Sequence, residues 1–126
     1  MFIYVKVENS AIKGSVVIYS ETEGLYVKAN STLGLFGVVR DDPVANAEGN
    51  FIAPVVFRGY VEAKCSQDIP AQGGIINVLN GEIYIDNSNS CISFIPPRPL
   101  EIDEASQTES ISNQCSAGDL VRILVR

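Results

Sequence analysis

The chain has 126 residues, 46% of them apolar and 19% charged, with a formal charge of −6 and no histidine. That length is one domain, able to bury roughly 65–70% of its unfolded surface without disulfide or metal staples. Nine scattered basic residues against fifteen acidic ones argue against a nucleic-acid partner, which needs clustered Lys and Arg to neutralise phosphates.

The first segment, Met1 to Val7, is apolar on both faces: Phe2 and Tyr4 fall on one, and Met1, Ile3, Val5 and Val7 on the other. Residues 1–13 therefore read as an N-terminal arm or edge strand, and residues 14–126 as the β domain. Ser15-Val16-Val17-Ile18-Tyr19 is a β-branched run suited to a buried strand, and Leu25 to Ala29 alternates as a third. Leu33 to Arg40 is the fourth, with Gly34 and Gly37 leaving one face thin enough for another backbone to approach. Gly37 to Cys65 then reads as strand, turn, strand, kink, strand. Asp41-Asp42-Pro43 breaks the first run, Phe51 to Phe57 forms the second, and Gly59 bends it into Tyr60 to Lys64. Pro54 cannot donate to a ladder, so it marks an edge or a bulge.

A loop anchored by Ile69 follows Cys65. Asn80-Gly81, between Ile75–Leu79 and Glu82–Asp86, is a strong two-residue hairpin signal because both central positions accept positive φ. Asn87 to Ser90 is a polar turn before Cys91 to Ile95, and Pro96-Pro97-Arg98-Pro99 is a rigid corner. Leu100 to Asn113, with four acids and no base, reads as a solvated loop with at most one helical turn. The closing run Leu120 to Arg126 points Val121, Ile123 and Val125 to the core. About eight short strands with glycine-marked turns and little helix predict a small single-domain β-barrel or β-sandwich.

The chemistry-bearing residues are sparse. Without histidine there is no Ser-His or Cys-His dyad and no ordinary general base at neutral pH. Asp41-Asp42 and Asp103-Glu104 are adjacent acids whose side chains diverge, unlike a glycosidase pair flanking a cleft. Gln72-Gly73-Gly74 is too short for a phosphate cradle and leads into a strand, not a helix. Cys65, Cys91 and Cys115 are odd in number and widely spaced, so they are expected as reduced, buried thiols. No catalytic, cofactor-binding or metal-ligating residue is assigned, and no enzyme activity is expected. No apolar run is long enough to span a membrane, and the start lacks a basic signal-peptide region, so synthesis in the cytoplasm is expected.

Four features together resemble the small capsid cement, or head decoration, proteins of tailed bacteriophages. They are Gly37-Val38 before an acidic turn, the Ala45-to-Gly49 turn, Gly59-Tyr60-Val61, and the closing Gly118-Asp119-Leu120-Val121-Arg122-Ile123-Leu124-Val125. The likeness covers residues 33–126. It departs at Ile69-Pro70-Ala71-Gln72-Gly73, where Gln72 intervenes and the acid the family places after its glycine is absent. The resemblance implies a homotrimer on the outer surface of an icosahedral virion, made in the host cytoplasm, that holds neighbouring major capsid proteins together. A β-fold nucleotide hydrolase of the deoxyuridine-triphosphatase type is the alternative suggested by Gly37-Val38-Val39-Arg40-Asp41, and a carbohydrate-binding module by the strand tyrosines.

Two expectations about partners follow from the residues themselves. Apolar strands with two buried faces exceed what one small barrel covers, which points to a subunit interface. At the N-terminus, Phe2, Tyr4 and Val5 are expected to pack on a neighbouring molecule by strand addition, so that removal of residues 2–8 leaves a folded domain. The alternative is that this segment is the first strand of the core, in which case the truncated chain does not fold.

Overall fold

The computed structural model describes residues 1–32, 34–89, 91, 93–97, 101–103, 108–110 and 114–126. The protein is all-β, with no helix among the described residues. The strands are β1 (Phe2–Val7), β2 (Val16–Ser20), β3 (Leu25–Lys28), β4 (Phe36–Val39), β5 (Val44–Ala45), β6 (Phe51–Val56) and β7 (Gly59–Lys64). They continue as β8 (Gly74–Leu79), β9 (Glu82–Ile85), β10 (Phe94–Ile95), β11 (Glu101–Asp103), β12 (Thr108–Ser110) and β13 (Leu120–Val125).

Two sheets carry the fold. In the first, the order is β1-β3-β2-β4-β6-β5, and an additional β1–β6 pairing closes its first five strands into a barrel. In the second, the order is β7-β13-β10-β8-β9. That sheet curls until its outer strands meet at a parallel bridge between Cys65 and Ile83, where the Ser66 N–H donates to the Ile83 carbonyl at 2.9 Å. The chain crosses from one sheet to the other at Phe57-Arg58, and Gly59 (φ 106°) makes the bend.

Alternation then decides what each face buries. Val17, Val39, Ala53, Val55 and Val7 fill the barrel interior, while Val16, Phe36, Val38 and Val56 on the opposite faces of the same strands pack on the second sheet. The second sheet answers with Val61, Ala63, Cys65, Ile76, Val78, Ile83, Ile95, Val121, Ile123 and Val125. The surplus of two-faced apolar strands is thus absorbed within one chain, which removes the composition argument for a subunit interface.

The backbone ties the two sheets at a few points. Gly14 donates to the Val39 carbonyl at 2.8 Å and accepts from the Lys64 N–H at 2.9 Å. The Asn80-Gly81 hairpin forms as expected, with φ of 51° and 77°. Its tip also reaches the barrel. Val16 N–H donates to the Gly81 carbonyl, Gly81 N–H to the Ala29 carbonyl, and Asn80 N–H to Asn30 Oδ1, each at 2.8 Å. After β9 the Asp86 carboxylate organises the turn. It accepts from the Ser88 hydroxyl at 2.6 Å and from Asn77 Nδ2 at 3.2 Å, and those bonds hold its pKa below the ordinary carboxylate value.

Several expectations need correction. Ala45, expected to open the turn that runs to Gly49, instead forms a short strand with Val44 on β6, long enough for two pairs only. Glu101–Asp103 and Thr108–Ser110 pair as an antiparallel hairpin instead of forming a loop or helical turn. The remainder of that acidic segment, and the Arg98-Pro99 half of the proline corner, lie outside the described residues. Pro54 sits on a strand paired on both sides. Its carbonyl accepts from the Arg40 N–H at 2.8 Å, so its missing donor faces the gap between the end of β4 and the start of β5. The space at Gly37 is taken by the Val55 and Phe57 side chains, not by backbone.

Gly73 and Gly74 serve packing. Gly73 has φ +67°, and a Cβ there would run into the main-chain carbonyl of Ile95. Gly49 has a similar φ, +81°, but open space around it. Gly49→Ala should therefore cost only the left-handed strain, about 1 kcal/mol. Gly73→Ala adds a clash with backbone that cannot swing aside, for a total of roughly 3 kcal/mol or more. Equilibrium urea unfolding of the two variants checks the difference, and equal midpoints would refute it.

Candidate functional site

β1 closes the barrel along one edge and leaves the other open. It runs antiparallel to β6 in unbroken register from Phe2↔Val56 to Val7↔Phe51, and meets β3 only at Val7↔Tyr26. In an antiparallel pair, hydrogen-bonded and non-bonded positions alternate. The Pro54 carbonyl points to Arg40, so Tyr4↔Pro54 is a non-bonded pair and Ile3, Val5 and Val7 face β6. The Glu8 N–H donating to the Tyr26 carbonyl at 2.9 Å has the matching phase. The N–H and C=O groups of Phe2 and Tyr4 consequently point away from β6, toward an edge where no strand lies among the described residues.

The side chains split in the same way. Val7 is buried in the barrel, and Val5 packs against the same core. Phe2 and Tyr4 lie together on the outer face, rings 5.7 Å apart and edge-to-face, with Tyr4 69% exposed. Of the three residues expected to bind a partner, Phe2 and Tyr4 are therefore brought together and Val5 is not. The N-terminal segment is a stave of the barrel. Removing residues 2–8 would open the ring and strip Val7 from its core, so the expectation of an intact truncated domain is corrected.

Sequence reasoning missed what surrounds this edge. The Arg40 guanidinium lies over the Phe2 ring at 4.0 Å and pairs with Asp41 at 3.3 Å. Arg40 is the first residue after β4, and β4 is placed beside β6 by Val38↔Val56 and Val39↔Val55. On one side of Arg40 and Asp41 lies a groove of about 320 Å³ reaching from Tyr4 and Pro54 to Val44 and Ile52. On the other lies a groove of about 420 Å³ that includes Lys13, Tyr60, Glu62 and Arg122. There Arg122 covers the Tyr60 ring at 4.0 Å. Ile3 and Val44 add exposed apolar area. The alternation in Phe2-Ile3-Tyr4 was the available signal; the approach of Arg40 and Val44 depends on strand order.

Chemically, this region offers main-chain donors and acceptors unpaired among the described residues, aromatic faces, one groove lined by Asp41 and Asp42, and one of mixed charge. No group of three or more His, Cys, Asp or Glu able to hold a metal occurs among the described residues. The adjacent acids Asp41 and Asp42 are engaged locally, Asp41 with Arg40 and Asp42 as acceptor from the Lys13 N–H at 2.9 Å. Elsewhere, Cys65 and Cys115 stand with sulfurs 2.9 Å apart. Comparison with family models, with characterised proteins and with solved structures finds no match to this chain.

The hydrogen-bond phase of β1 makes a sharp prediction. Proline at position 4 removes an N–H that no strand uses, so Tyr4→Pro should cost less than about 1 kcal/mol. Val5→Pro breaks the ladder to Ala53 and orphans an acceptor, at about 3 kcal/mol or more. Thermal unfolding followed by circular dichroism distinguishes them; similar losses in both would mean the phase is wrong.

Proposed function

We propose that the chain is a structural binding module that docks on another protein through the open edge of β1, and that it serves as a cement protein on the outside of a tailed-phage head. The observation that carries the docking reading is the unpaired Phe2–Tyr4 edge beside exposed Phe2, Ile3 and Tyr4. A flat edge with apolar side chains is an aggregation hazard unless something covers it, and strand addition by a partner satisfies both needs. Main-chain bonds set register, while the groove beside Tyr4 and Val44 accepts a partner side chain.

The cement reading adds the turn motifs of residues 33–126 and an acidic charge of −6, suited to a surface that should not capture nucleic acid. A homotrimer belongs to the same proposal. One edge gives a weak contact, but three linked copies bind with high effective concentration. In this role the chain is not an enzyme: it contributes stability and contact area.

Two measurements test this. Light scattering of the purified protein should give three times the chain mass, and a monomer mass at micromolar concentration would remove the trimer. The protein should co-sediment with expanded, undecorated heads of its own phage. Tyr4→Pro should weaken that binding at least tenfold while preserving fold and mass. Undiminished binding by Tyr4→Pro would sink the edge as the docking element, and no binding by the unaltered protein would sink the cement reading.

A further inference from the structure

Cys65 directly follows β7 with its thiol fully buried, and Cys115 lies in the segment leading into β13, partly exposed. Although 50 positions apart, their sulfurs are 2.9 Å from each other. That is well inside the ordinary contact distance of two sulfurs and less than about 1 Å from a bond of roughly 2.05 Å. The backbone on both sides is held in place. Ile69 N–H donates to the Cys115 carbonyl at 3.0 Å and Gln114 N–H to the Ile69 carbonyl at 2.7 Å. The Gln114 amide donates to the Pro96 carbonyl at 2.6 Å, and Asp68 Oδ1 accepts from the Ala117 N–H at 2.9 Å. The Cys65 thiol also lies 3.2 Å from the carbonyls of Ser116 and Asp119.

We propose that Cys65 and Cys115 are a redox couple that closes to a disulfide when the protein meets a low-molecular-weight disulfide such as oxidised glutathione, leaving Cys91 a free thiol. This inference is independent of the function proposed above. Cys115, the accessible member, loses its proton and attacks one glutathione sulfur, expelling a first glutathione thiolate and forming a mixed disulfide. Cys65 then loses its proton and attacks the Cys115 sulfur, expelling the second. Two electrons and two protons pass from the protein thiols to glutathione, and one sulfur–sulfur bond replaces another.

Closure seals the neck of the excursion that holds β8 to β12, including the hairpin whose tip bonds to the barrel. It clips β7 to the segment entering β13, its partner in the second sheet. Burial, the neighbouring Cys65 and the carboxylates of Asp119 and Asp68 push the Cys115 thiol up to about 12. Little thiolate therefore exists at neutral pH, and exchange is slow there.

The test uses the full chain held with oxidised glutathione at mildly alkaline pH, alkylated, and cleaved at glutamate without reduction. The three cysteines then fall in separate peptides, 63–82, 83–101 and 110–126. Linked peptides 63–82 and 110–126, with alkylated Cys91, are expected. A rise in thermal midpoint on the order of 10 °C, reversed by dithiothreitol, should accompany the link. Cys115→Ser should show no such rise. Three alkylated thiols, glutathione adducts without a link, or a bridge that includes Cys91 would overturn the proposal. Because the linkage is mapped on the unaltered protein, a poorly folded variant does not blunt the result.

Discussion

Burial of β2, β4 and β6 on both faces is the constraint from which the rest of the fold follows. Val17, Val39 and Val55 look into the barrel, while Val16, Val38 and Val56 look into the second sheet. A strand apolar on one face needs one partner layer; these need two, and the chain has to supply both. It does so by closing one five-stranded ring and laying a second curled sheet against its outside. β-Branched side chains suit this, since their stiff rotamers pack a pleated surface at little entropic cost. Each buried valine is worth roughly 1.5–3 kcal/mol relative to exposure, and either layer taken away exposes one face of the same strands. The two sheets are on this account a single cooperative unit.

The candidate surface begins where that double cover stops. The second sheet covers the Val56 end of β6, and the Ile52 end carries a groove instead. β1 marks the same limit from the other edge: its inward residues complete the barrel core, while on its outward face Arg40 lies over Phe2 and Tyr4 borders the groove. A rigid ring therefore presents a strand with little freedom left to lose. Preorganisation of this kind favours docking, because the host side of the contact is already ordered.

The cysteines illustrate a different outcome of the same packing. Cys65 belongs to the shared core, and Cys91 and Cys115 pack against it. Two of the three end up in contact because β7 and β13 are neighbours in the second sheet and their connecting segments converge at the Ile69–Cys115 bridge. Spacing along the chain carries no trace of that meeting.

Local chemistry was legible in the residues. The β character, most of the long strands, the Asn80-Gly81 turn, the kink at Gly59 and the inward set Val121, Ile123 and Val125 all follow from side-chain alternation and from glycine's tolerance of positive φ. The separation of Phe2 and Tyr4 from Val5 follows from the same period of two. Tertiary structure alone decided the rest, because pairing depends on which strands lie side by side. That β1 is a stave of the barrel and not an arm rests on β6 having a free edge to receive it. That Pro54 fits a strand paired on both sides rests on the gap between β4 and β5. That the two-faced valines need no second molecule, and that Cys65 meets Cys115, rest on how the sheets close. A single strand's sequence specifies its faces; only the assembled sheets specify what stands opposite them.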